Sequence, residues 1–155
     1  MIKKPHFLLF ALILTALSTN VLAQATTADT VGIQKAVNNL FEGMRKGDSA
    51  LIRSAFTAAP VMQTIDSRKG VVVRSEVLDS FLVSITRPHT EIYDERIVFD
   101  KILIDADLAI AWTPYQFYVG DRFSHCGVNQ FTLVRVNGVW KIQYLIDTRR
   151  RQACN

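Results

Sequence analysis

Histidine is scarce in this chain: three stand among 155 residues, and one of them, His6, lies in the N-terminal leader discussed below. His89 and His125 remain. Neither has a second ligand at the short spacings zinc sites use, so no metal is expected. Hydrolase chemistry also lacks its mark, because no Gly-x-Ser-x-Gly elbow occurs. None of the seven glycines falls in a phosphate-binding loop, and no cofactor is expected. Charge is nearly balanced, with 18 Lys and Arg against 14 Asp and Glu. That balance gives no reason to expect a nucleic acid partner. The basic run Arg149-Arg150-Arg151 reads first as a solvated strand end, with a polyanion site as the rival. Cys126 and Cys154 are the two cysteines. They exclude a multi-bridge scaffold and allow one bridge, two free thiols or pairing between chains.

What is present begins with "MIKKPHFLLFALILTALSTNVLAQA". Lys3 and Lys4 precede an apolar run from Phe7 to Leu17, and Val21-Leu22-Ala23 offers residues a signal peptidase reads. The run is short for a span, which needs about 20 apolar residues. A signal peptide over 1–23 is therefore expected, with export to the periplasm or beyond and no membrane span after cleavage. The 132 residues left after the cut suit one domain, 29–155, behind a short disordered stretch at 24–28. Losing Lys3 and Lys4 lowers the formal charge from +4 to +2.

Ile33, Val37, Leu40, Phe41 and Met44 recur at helical spacing, with Asp29 or Thr30 to cap the start and Gly47 to end it. Asp48 or Ser49 opens a short second helix carrying Leu51, Ile52, Ala55 and Phe56, which Pro60 closes. "VMQTIDSRKGVVVR" reads as a hairpin turning near residues 67–70. A third helix follows, capped by Ser75, with Leu78, Phe81, Leu82 and Ile85 as its buried stripe. Four strands complete the chain, at roughly 91–104, 107–119, 123–136 and 139–149. Their turns fall at Asp105-Ala106, Gly120-Asp121 and Asn137-Gly138; the last is the strongest hairpin signal, since both residues tolerate positive φ. The expected class is α+β, three helices packed on one face of a curved, mostly antiparallel sheet.

Three stretches, "NNLFEGMRKGDSALIRSAF", "DADLAIAWTPYQFY" and "NGVWKIQYLIDTRR", resemble the nuclear transport factor 2-like superfamily across the chain from residue 29 onward. The resemblance implies a cone-shaped α+β barrel. That superfamily includes ketosteroid isomerase, scytalone dehydratase, SnoaL-like polyketide cyclases and exported members with no known reaction. The ending "FSHCGVNQF…WKIQYLIDTRR…C" most resembles the exported group. The tyrosine and aspartate pattern of ketosteroid isomerase does not fall on this sequence.

The tight turns set a register. Pairing Val136 with Val139 places Leu133 opposite Ile142, Phe131 opposite Tyr144 and Asn129 opposite Ile146. Pairing Val119 with Arg122 places Leu108 opposite Leu133, Ile110 opposite Phe131, Trp112 opposite Asn129 and Gln116 opposite His125. One face then holds Leu108, Ile110, Trp112, Gln116, Tyr118, His125, Asn129, Phe131, Leu133, Ile142, Tyr144 and Ile146. Being the more apolar face, it is expected to meet the helices; a bulge near Gly127 or Pro114 would invert whatever lies beyond it. On this register Cys126 lies opposite Arg149, and the residues beyond let Cys154 fold back to it, so of the open alternatives a Cys126–Cys154 bridge within one chain is the expectation. As a nucleophile Cys126 would need an adjacent base, and His125 faces the other way.

The expected ligand-binding set is Trp112, Gln116, Tyr118, His125, Asn129 and Tyr144 at the mouth of the cone. A mostly apolar cavity with a few converging polar groups is the usual form of a small-molecule site. Each residue also has a purely structural reading. The first functional reading is a binding or scaffold domain for a small apolar or amphipathic molecule. The alternative is a cofactor-free isomerase, cyclase or dehydratase moving protons in an apolar pocket, with His125 or Asp66 as base and Tyr118 polarising a carbonyl; Asp100 is the other carboxylate within reach. A third reading is a structural homodimer through the outer sheet face, where Thr113, Tyr115, Phe117, Val128 and Leu145 would meet a second copy.

Overall fold

The structure is a computed structural model and describes residues 26–67, 70–152 and 154. The expected signal peptide lies outside the described residues. Helix α1 spans Thr27–Lys46 and buries Ile33, Ala36, Val37, Leu40, Phe41 and Met44, one face at three- and four-residue spacing. It starts inside the stretch expected to be disordered. Thr26, in place of Asp29 or Thr30, is the cap: its side chain accepts from the Asp29 N–H, and the Asp29 carboxylate returns a bond to the Thr26 N–H. Gly47 closes the helix at φ 64°, a left-handed conformation that glycine adopts without cost. Asp48 caps α2, Ser49–Ala55. The third helix, α3, spans Leu78–Thr86 and buries Leu78, Leu82 and Ile85. Its N-cap is Val77, and Ser75 belongs instead to the preceding strand.

Seven strands form one sheet: β1 Phe56–Asp66, β2 Val72–Glu76, β3 Tyr93–Ile97, β4 Lys101–Asp105, β5 Leu108–Val119, β6 Arg122–Val136 and β7 Val139–Thr148. The order is β2-β1-β7-β6-β5-β3, with β4 beside β5, and all pairings are antiparallel except β1 with β7. Pro60 sits inside β1 rather than closing a helix. The segment expected as one strand over 91–104 is two. Pro114 explains the break: its carbonyl accepts from the Val98 N–H at 3.0 Å, so its missing N–H lies on that same side, and the partner strand is interrupted there.

Two bulges reset the register. Tyr118 pairs with Phe123, but Phe117 pairs with His125, leaving Ser124 as an extra residue on β6. Leu133 pairs with Ile142, but Thr132 pairs with Tyr144, leaving Gln143 extra on β7. Past each bulge every side chain changes face. Phe131 therefore meets Ala111 and Leu145, not Ile110 and Tyr144, and Asn129 meets Thr113 and Asp147, not Trp112 and Ile146. The buried row of β5 is Ala109, Ala111, Thr113 and Tyr115, while Leu108, Ile110 and Trp112 are exposed. The Gln143 side chain ties its bulge to β1, bonding the Thr57 hydroxyl at 2.9 Å and the Ala59 carbonyl at 3.1 Å.

The core lies between α1, α2, α3 and the concave face, where Ile33, Val37, Leu40, Ile52, Phe131, Leu133 and Ile142 are closed to solvent. At one end Asp29 anchors α1 to the sheet, accepting from Arg135 at 2.6 Å and from the Trp140 indole at 3.2 Å. At the other, Cys126 and Cys154 form a disulfide with Cα atoms 5.8 Å apart. Cys126 pairs with Arg150, one residue beyond the expected Arg149. No helix among the described residues is long and apolar enough to cross a membrane.

Candidate active site in the cone

The stretch Phe123–Phe131 holds the sheet end together. Ser124 is the bulge that sets His125 opposite Phe117. Gly127 lies opposite Tyr115 on β5, and any side chain there would run into the Thr148 carbonyl and the Tyr115 ring. With glycine in place the phenol crosses its own partner residue and donates to the Thr148 carbonyl at 2.9 Å, its oxygen 3.3 Å from Asp147 Oδ2. Cys126 carries the disulfide.

Between these strands and the helices lies a cavity of about 370 Å³. Leu40, Phe41 and Met44 of α1 and Phe81 and Ile85 of α3 supply its apolar roof, and Met62, Phe117 and Leu145 its apolar walls. The polar floor is Glu95 from β3, Tyr115 from β5, His125 and Asn129 from β6, and Asp147 and Arg149 at the end of β7. Asn129 donates to Glu95 Oε1 at 2.7 Å, and Arg149 Nε donates to Asp147 Oδ2 at 2.8 Å.

Burial of Glu95 away from bulk water, with the Asp147 charge nearby, pushes its carboxyl up to about 7, against the opposing Asn129 hydrogen bond and Arg149 charge. Its surface is partly open, but it opens into the cavity. Burial, then Asp147 and Glu95, raise the Tyr115 phenol, which stays protonated. Burial and the Arg149 charge lower His125, favouring the neutral imidazole. Its Nδ1 lies 3.0 Å from the Ser124 hydroxyl, and its ring packs against Phe117 and Tyr115 at centroid distances of 5.0 and 5.7 Å. The Thr64 hydroxyl, on the cavity wall, is buried without a partner among the described residues. The site therefore offers one carboxyl able to take or give a proton near neutrality, beside neutral donors in an apolar enclosure.

Of the residues singled out from sequence, His125 and Asn129 line this cavity. Trp112, Gln116 and Tyr118 do not, because the Ser124 bulge turns them to the convex face. Tyr118 donates there to Gln116 Oε1 at 3.1 Å, with the Arg96 guanidinium 4.1 Å over its ring. Hence His125 bonds neither of them. Tyr144 is turned outward by Gln143 and donates to Gln63 at 2.7 Å. Asp66 lies in an adjoining vestibule, paired with Arg74 at 3.1 Å, and Asp100 is exposed. Conversely, Thr113, Tyr115, Phe117 and Leu145, assigned to the outer face, point inward. Glu95 went unnoticed although a signal existed: it alternates with Tyr93 and Ile97, an acid in an apolar row. Among the described residues no cluster of three or more His, Cys, Asp or Glu could hold a metal ion.

No family model and no curated protein matches the chain. Solved structures do. A nuclear transport factor 2-like protein of unknown function from Shewanella baltica superposes with TM-score 0.64 at 16% identity, over 83% of this chain and 100% of that one. The fold is nuclear transport factor 2-like. A conserved protein from Planctomyces limnophilus gives 0.65 at 20% identity, over 81% and 98% of the two chains. A domain of unknown function with a cystatin-like fold from Nostoc punctiforme gives 0.63 at 12%, over 83% and 81%. At these identities the likeness shows the nuclear transport factor 2-like fold and nothing of ligand or activity.

Proposed function

We propose that this chain binds an amphipathic small molecule in the cone. The observation that carries this reading is a cavity of about 370 Å³ lined mainly by apolar side chains of α1, α3 and the sheet, with Glu95, His125 and Asn129 among its polar groups. The apolar part of the ligand lies under Phe41, Met44 and Phe81, and its polar end lies toward His125 and Arg149. Native mass spectrometry of protein from its natural host tests this: a co-purifying small molecule that Phe81→Arg releases supports it. An empty cavity that also takes up no apolar probe refutes it.

A second reading, cofactor-free isomerase, cyclase or dehydratase chemistry, is favoured by the Glu95 carboxyl held at about 7. Glu95 takes the place of His125 or Asp66 as the base, and Tyr118, expected to polarise a carbonyl, lies outside the cavity. Turnover that survives Glu95→Gln would refute that role.

We also propose that the convex face pairs two copies. Leu103, Leu108, Ile110 and Trp112 are exposed there, with Lys101 opposite Trp112 and Asp105 opposite Leu108. A two-fold axis through the patch would set its basic end against the acidic end of the copy. Export through the leader is proposed with it, and a disulfide suits an oxidising compartment.

A further inference from the structure

The cavity adjoins a second space of about 340 Å³, the two sharing Thr64, His125 and Arg149 in their linings. The second space differs in kind. Its remaining residues are Asp66, Arg74, Ser124 and Arg151, so no large apolar side chain lines it and three guanidinium groups do. Arg74 and Arg149 each spend Nε on a carboxylate, Asp66 and Asp147 respectively, and their terminal nitrogens carry no hydrogen bond among the described residues. Arg151 has no ion pair or hydrogen bond among the described residues and is exposed.

The segment bearing two of these arginines is tied down. Arg150 exchanges backbone hydrogen bonds with Cys126 at 2.7 and 2.8 Å, and the disulfide to Cys154 closes the chain beyond it. A strand end that would otherwise fray is thus fixed on both sides, with Arg149 and Arg151 flanking the fixed residue. Those two charges also contribute to lowering His125, which lines both spaces.

We propose that the ligand is an organic carboxylate: an apolar body in the cone and a carboxylate held in the vestibule by the terminal nitrogens of Arg149, Arg74 and Arg151. The planar guanidinium fork matches a carboxylate in shape and charge, and the apolar side chains of the adjoining cone suit the ligand body. This rests on the reading of the cone as a small-molecule site and adds the charge and class of the ligand. The Arg149-Arg150-Arg151 run, which from sequence reads as a solvated strand end, acquires a task.

The test is calorimetric titration of the full chain, disulfide intact, with decanoate, decanol and decylamine, three probes with one apolar body and different heads. The expected result is decanoate binding at least about tenfold tighter than either of the others, since a charge-assisted pair adds that much. That preference should shrink with added salt. Arg151→Ala should reduce decanoate affinity several-fold and leave decanol affinity alone, and Arg151→Lys should restore part of it. Arg74→Gln provides a second variant. Decanol binding as tightly as decanoate, or decylamine binding best, overturns the carboxylate assignment while leaving the cone a binding site. Failure of all three probes to bind overturns both.

Discussion

Asn129 donates to Glu95 at 2.7 Å across the end of the cone, joining β6 to β3 over β5, where Thr113 pairs with Asn129 and Phe117 with Glu95. This bond holds the carboxyl down while burial and Asp147 push it up. Asn129→Ala removes the opposing contribution. The Glu95 carboxyl should then titrate higher than about 7, as read by carbon-detected NMR. An unmoved titration would show that the contact does not tune it.

Glu95 also makes stability depend on pH. Its folded pKa of about 7 lies above the ordinary 4.5, so the folded chain binds more protons than the unfolded chain between those values. The contribution of this group to stability is greatest below about 4.5 and is lost as pH rises through 7. The loss is at most about 3 kcal/mol. Urea unfolding at pH 5 and pH 8 measures it, and Glu95→Gln should flatten the difference.

The Cys126–Cys154 bridge closes a separation of 28 residues. Cys126→Ser with Cys154→Ser should cost about 2–4 kcal/mol in urea unfolding. The same double variant should bind a carboxylate more weakly than reduced stability alone explains, because Arg149 and Arg151 lose their anchor. Equal affinity at a temperature where both proteins are folded would count against that second part.

Gly127 admits no side chain, since a Cβ would meet the Thr148 carbonyl and the Tyr115 ring. Gly127→Ala should lower stability by about 2 kcal/mol or more. Tyr115→Phe in the same background should not recover it, because the backbone clash persists. A melting temperature within a degree of the parent would refute the close approach.

Trp112→Asp and Ile110→Lys place charge in the convex patch without touching the cone. Both should shift sedimentation toward monomer at tens of micromolar, a rough working range for weak assembly. A parent chain that sediments as monomer would defeat the pairing directly.

Helix α1 was legible because its buried face is written three and four residues apart, and two of the hairpins because Asn137-Gly138 and Gly120-Asp121 carry their own turn chemistry. The cone's lining was not, and the reason is local. Ser124 and Gln143 sit inside strands, among residues that alternate normally, so nothing in composition announces an extra residue. Apolarity then misled: Leu108, Ile110 and Trp112 look more like core than Ala109, Ala111 and Thr113. The last three are the buried ones. On β6 the alternation did place Asn129, Phe131 and Leu133 on the buried side, although their partners differ.

The Ser124 bulge also bears on how a fold of this kind changes its contents. A pocket usually alters by exchanging one amino acid for another. Here the lining depends on whether the number of residues between the Gly120-Asp121 turn and Gly127 is odd or even. Deleting one residue there would preserve the turn, the strands and nearly the whole composition, yet offer Gln116 and Tyr118 to the interior in place of Tyr115 and Phe117. Chain length at a single point, more than residue identity, sets what this cone can hold, and chains of near-identical composition can therefore present unlike chemistry within the same architecture.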